Sequence, residues 1–138
     1  MGHYEERIER DVESIRRKAR RLGAGVIDAL SDACRSVLSR NQELATETIL
    51  GDLPINRRYR ELDHRCHVFV ARHLPSAGHL RFISSVLRLS KTLERIGDYA
   101  ETISRAALQL EDPLPDRIAS DVEMMFTHSR RILERSMQ

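Results

Sequence analysis

Residues 76–110 read SAGHLRFISSVLRLSKTLERIGDYAETISRAALQL, and the apolar side chains recur in steps of four and three: Phe82, Val86, Leu89, Leu93, Ile96, Ala100, Ile103, Ala107 and Leu110. At about 100° per residue this spacing lines one stripe of a long α-helix with a heptad pattern. Ser76 is placed to cap its start, and Pro113 marks its end, because a proline disfavours helix in the residue before it. A single-stripe helix of this length must be covered along one side by other helices.

The rest of the chain supplies them. From Tyr4 to Arg40, Ile8, Val12, Ile15, Ala19, Leu22, Val26, Ala29, Ala33 and Val37 share one stripe, with Gly23 and Gly25 inside it as points where a bend is expected. Asn41 is a candidate N-cap for a second helix carrying Ile55, Tyr59, Leu62, Cys66, Phe69 and His73, which ends before Pro75. Pro54 lacks the donor for the carbonyl of Leu50, so a kink is expected there, with Asp52 re-capping the helix. After the turn EDPLPD a fourth, shorter helix carries Ile118, Val122, Met125, Ser129, Ile132 or Leu133, and Met137. No stretch alternates with the period of a strand.

Helices of roughly 30 to 35 residues joined by tight turns fold back antiparallel into a bundle about 45 to 50 Å long. The expected fold is therefore all-α: an elongated three-helix bundle over residues 1–112, with a C-terminal helix over 113–138 that covers its stripe on the bundle or against a second copy of the chain. Composition agrees, since 138 residues suit one domain, 41% are hydrophobic, 32% are charged, and there are only 4 Pro and 6 Gly. Aromatics make up 4% and there is no Trp, which leaves little to stack on bases or sugars.

Lys and Arg number 23 against 21 for Asp and Glu, a net charge of 23 − 21 = +2, so no global field calls for a polyanionic partner. The run Arg16-Arg17-Lys18-Ala19-Arg20-Arg21 lies on an amphipathic helix and has no interleaved aromatics, so it reads as a solvated face and not as a nucleic-acid site. Cys34 and Cys66 have no CxxC spacing and read as reduced thiols. No run of about 18 apolar residues exists, and charge begins at Glu5, so neither membrane insertion nor export is expected and the location expected is cytoplasmic. There is no nucleophile beside a base, no glycine-rich phosphate loop and no zinc spacing, so no enzymatic reaction is expected.

Two groups of residues carry ligand chemistry. Glu94, Asp98 and Glu101 share one face of the third helix, taken here as the face opposite the heptad stripe, with Lys91 and Arg105 near enough to offset their repulsion. Asp52, Asn56, Asp63 and His67 follow one flank of the second helix and could face those acids. A line of oxygen and imidazole donors between two helices suits a hard cation or iron; a solvated acidic face is the plainer alternative. Glu61-x-x-His64 is the unit of ferritin-like diiron bundles, but that architecture needs a second copy and the chain has one.

Read in order, Asp52-x-x-Ile55-Asn56, Cys66, Ala71-Arg72-His73-x-Pro75, Leu80-Arg81-Phe82-Ile83 and Leu93-Glu94-Arg95-Ile96-Gly97-Asp98-x-Ala100-Glu101-x-Ile103 resemble the PhoU repeat over roughly residues 5 to 110. The resemblance departs at Gly78 and His79, where the family usually has a small residue and Asp, and at Thr92 and Thr102, where it usually has Asn. It implies a three-helix bundle per repeat, two repeats per usual chain, and metal bound through E/D-x-x-x-D motifs, here Glu94 and Asp98 with Asp52 and Asn56 as the partner motif. The implied cofactor is a divalent or ferric ion (iron, zinc, nickel, manganese or magnesium). The implied role is negative regulation of phosphate uptake and signalling, linking a phosphate ABC transporter and its ATPase to a sensor histidine kinase. The chain then corresponds to one repeat and the first helix of a second, and pairing as a homodimer is expected to restore the content of two repeats. A ferritin-like metal-binding bundle and a soluble relative of the PhoU-like domain of sodium/phosphate cotransporters are the alternative readings.

Overall fold

A computed structural model describes residues 2–138. Four helices follow one another, α1 (Gly2–Ser39), α2 (Gln42–His73), α3 (Ala77–Gln109) and α4 (Asp116–Ser136), and the described residues contain no strand. Connections of two or three residues force α1, α2 and α3 into an antiparallel bundle in which each helix packs on the other two. The all-α bundle is the architecture expected from the stripes. α4 packs on α1 alone.

The turns are built by local chemistry. Asn41 caps α2 by accepting the Leu44 N–H at 2.9 Å, and Leu74, at φ 43°, closes it with a bond from its N–H to the Val70 carbonyl at 3.1 Å. Ser76 stands at the start of α3 without capping it; its hydroxyl lies 3.4 Å from His79 Nδ1. The Arg40 guanidinium donates to the Glu111 carbonyl, tying the α1–α2 turn to the segment leading into α4.

Two expected breaks are absent. α2 runs unbroken through Pro54, so Asp52 lies inside the helix and caps nothing. The missing N–H faces an exposed stretch, with Leu50 and Leu53 about two-thirds exposed, where water can satisfy the freed carbonyl. α1 is likewise continuous through Gly23 and Gly25. These glycines make room for neighbours: a Cβ on Gly23 would collide with the Met137 side chain at the end of α4, and one on Gly25 would stand 2.7 Å from Arg58 Nη1 of α2.

The core follows the expected stripes on α1 and α2, with Ile8, Val12, Ile15, Leu22, Val26, Ile55, Leu62, Cys66 and Phe69 buried in one cluster. On α3 Val86, Leu93, Ala100 and Ala107 are buried as expected, while the alternate positions of the stripe shift by one residue and rotate its centre by about half a residue. The buried positions are Ile83, Ser90, Gly97 and Ser104, alternating with Val86, Leu93, Ala100 and Ala107. Phe82, Leu89, Ile96 and Ile103 are half-buried at its margin. Small residues at every second core position let α3 sit close to both partners, and that approach outweighs burying the larger side chains in full.

α4 is also rotated from expectation. Leu133 is buried, Val122, Phe126 and Met137 are half-buried, and Ile118, Met125 and Ile132 face outward. Both cysteines are free and buried; burial pushes the Cys66 thiol up to about 11, while burial and then Glu123 of α4 raise that of Cys34.

Candidate functional site

The rotation of the α3 stripe moves the acidic face. Glu94, Asp98 and Glu101 do not lie opposite the core; they border it on the side toward α2, with the Glu94 and Glu101 side chains 18% and 25% exposed. Gly97 sits between them in sequence and in the helix contact. A Cβ there would lie 3.3 Å from Ile55 Cγ2 and 4.0 Å from Asp52 Oδ1, so α2 reaches α3 at this point. Asp52 and Asn56, one turn apart on α2, are joined by a bond from Asn56 Nδ2 to Asp52 Oδ2 at 2.6 Å. All five residues expected at the site are thus brought to one α2–α3 seam.

The seam carries more negative charge than its cations offset. Lys91 donates to Glu94 at 2.8 Å and Arg105 to Glu101 at 2.9 Å, as the spacing suggested, but both cations are largely exposed and solvent screens these pairs. Asp52 and Asp98 make no ion pair among the described residues, and Asp52 Oδ1 is buried with no hydrogen-bond partner. Burial first, then Glu101, Asp98 and Glu94, raise the Asp52 carboxyl above its ordinary range, against the Asn56 hydrogen bond. Burial, Glu94 and Glu101 likewise raise Asp98, against Lys91.

A carboxyl raised on folding binds its proton more tightly in the native state. Stability is therefore lost as pH rises from the ordinary carboxylate value of about 4 through the raised value, and the cost is complete above it. In metal-free protein Asp52→Asn and Asp98→Asn should accordingly raise the melting temperature at pH 7 and narrow their advantage over wild type as the pH is lowered toward 4. Melts across that range check it; a fall in melting temperature at pH 7 would mean that the charges help the fold.

The donors are oxygens of the kind a hard cation takes, and the orphaned Asp52 Oδ1 is an acceptor with no partner in the protein. As the side chains stand, no three His, Cys, Asp or Glu residues among those described are arranged to hold an ion. Water and rotation of Asp98 toward Asp52 would have to complete a shell, which is the usual situation for magnesium-like ions that keep several waters.

The remaining expected ligands lie elsewhere. Asp63 and His67 pair with each other at 3.4 Å on an exposed part of α2. Glu61 binds Lys18 of α1, which lowers its carboxyl, and within the basic run of α1 Arg16 pairs with Glu13. A further cluster escaped the sequence reading: His73, buried on the α2 stripe, bonds through Nε2 to Asp11 Oδ2 at 2.8 Å. The signal was a histidine among apolar positions, but its partner is 62 residues distant in the chain.

The PhoU domain matches residues 19–107. The chain is 29% identical over 131 residues to the phosphate-specific transport system accessory protein PhoU of Serratia marcescens, covering 95% of this chain and 54% of that protein. The protein of the same description from Escherichia coli (strain K12) gives the same identity and coverage. The PhoU homolog of Aquifex aeolicus is 33% identical over 105 residues, 75% of this chain and 48% of its own length. The chain thus spans about half the length of the curated relatives it matches.

Proposed function

This chain belongs to the PhoU family, and on that premise we propose that it is a regulatory accessory protein of phosphate uptake, without a reaction of its own, whose α2–α3 seam binds a divalent or ferric cation. The observation that carries the reading is the similarity to phosphate-transport accessory proteins over 95% of the chain, with the acidic residues gathered on one seam. Asp52 and Asp98 would be the principal ligands, since Glu94 and Glu101 are engaged by Lys91 and Arg105; Asn56 orients Asp52. A bound cation would offset the repulsion among the four carboxylates and fix α2 against α3.

The partners proposed are the ATPase of a phosphate ABC transporter and a sensor histidine kinase, met in the cytoplasm; no helix of the described residues is long and apolar enough to cross a membrane. A homodimer is proposed as well. α4 leaves Ile118, Met125 and Ile132 exposed at steps of seven along one face, an apolar strip that a second copy could cover. Light scattering at micromolar concentration should give twice 15.9 kDa; a single-chain mass would refute the dimer.

Affinity purification from phosphate-replete cells tests the function. Recovery of the transporter ATPase or of a sensor kinase, reduced on phosphate starvation, is the expected result. Recovery of neither under both conditions would contradict the regulatory role.

A further inference from the structure

At the other end of the bundle, roughly 30 Å along α2 from Asp52 at 1.5 Å per residue, α1 and α2 border a cleft of about 500 Å³. It is lined by Tyr4, Arg7, Arg10, Asp11, Arg72 and His73. The lining holds three arginines and one carboxylate, a charge of 3 − 1 = +2 before His73 is counted. The His73 ring is only 3% exposed and holds Asp11 from within, while Arg72 Nη1 approaches the same Asp11 oxygen at 3.7 Å from outside. The Tyr4 hydroxyl donates to the His73 carbonyl at 2.6 Å, fixing the end of α2 against the start of α1.

Glu9 lies 3.8 Å from His79 and Glu6 3.6 Å from His3, and neither these two nor Glu5 pairs with Arg7 or Arg10, which have no carboxylate partner among the described residues. Three apart on one helix, these like charges repel one another. Arginine forks are suited to bidentate contact with oxyanions, and forks converging from two helices can reach several oxygens of a tetrahedral group, which a single planar carboxylate does not offer.

We propose that this cleft is a binding site for a dianionic tetrahedral oxyanion, held by Arg7, Arg10 and Arg72, with Asp11 and the buried His73 as positioning residues. The anion would neutralise the +2 lining and relieve the Arg7–Arg10 repulsion. The cleft is larger than one inorganic ion needs, so the same group carried as a monoester would also fit.

Calorimetric titration of the full chain at low ionic strength tests this, with inorganic phosphate, sulfate and glycerol phosphate as separate probes and chloride at matched ionic strength as the reference. Saturable binding of one anion per chain is expected. Arg10→Gln and Arg72→Gln should each weaken it about tenfold or more, whereas Arg17→Gln, on the same helix outside the cleft, should leave it unchanged. Tighter binding of phosphate and sulfate would identify the free ion as the ligand, and tighter binding of glycerol phosphate would identify a monoester; either supports the site. No heat beyond that of chloride, or equal weakening by all three variants, would overturn it. Circular dichroism of each variant distinguishes a lost site from a lost fold.

Discussion

Replacing Leu93 by alanine is expected to destabilise the protein by about 2 to 5 kcal/mol, the range for removing a buried leucine from a core that cannot fully collapse. Leu93 is completely buried at a heptad position of α3 and belongs to the continuous cluster that α1, α2 and α3 share. Its neighbour Glu94 borders the same core, yet its one hydrogen bond goes to the exposed Lys91, and removing it also relieves repulsion with Asp98. Glu94→Ala should therefore change stability by under about 1 kcal/mol. Urea denaturation of the two variants side by side decides this. Equal losses would place the carboxylate inside the core and make the displaced stripe wrong.

Gly97→Leu should cost about 1 to 3 kcal/mol through overpacking, because α2 already meets α3 at this glycine. Gly97→Ala is the informative control. Its methyl group would press on Ile55 Cγ2 at 3.3 Å, which the isoleucine can relieve by a few tenths of an ångström, while the helix gains about 1 kcal/mol from replacing glycine. Alanine should be nearly neutral and leucine damaging. The leucine variant should also expose Asp52, since the separation of α2 from α3 opens its surroundings to water. If urea midpoints for alanine and leucine coincide, Gly97 does not set the helix spacing.

The helical architecture and much of the core were legible because Ile, Val and Leu at intervals of three and four mark a buried stripe irrespective of tertiary detail. The register of α3 was not. Leu89, Ile96 and Ile103 are more hydrophobic than Ser90, Gly97 and Ser104, so at these alternate positions apolarity pointed to the residue next to the buried one. Close helix approach selects small residues, and that pressure depends on the partner helices, which a local pattern does not contain.

The same offset explains the error about the acids. Centring the stripe toward Leu89, Ile96 and Ile103 placed Glu94, Asp98 and Glu101 on the wet side; with Gly97 at the contact, they flank the core beside Asp52. Their identity as a group was readable from spacing, and their neighbour across the seam from the PhoU-like motif. Pro54 misled for a different reason: its cost falls on an exposed carbonyl, so a surface helix carries it without breaking. Asp63 and His67 continue the flank of Asp52 and Asn56, but pair with each other further along α2.

The cation site proposed at the α2–α3 seam is tested by thermal melts of metal-free protein titrated with magnesium, manganese, zinc, nickel and iron. An ion that binds the folded state alone must raise the melting temperature in proportion to the logarithm of its concentration once above its dissociation constant. Wild type should show that rise with at least one ion, Asp98→Asn a smaller one, and the Asp52→Asn/Asp98→Asn double variant none, although the variants start from a higher melting temperature without metal. If no ion shifts wild type, or if every ion shifts wild type and the double variant equally, the four carboxylates do not form a metal site.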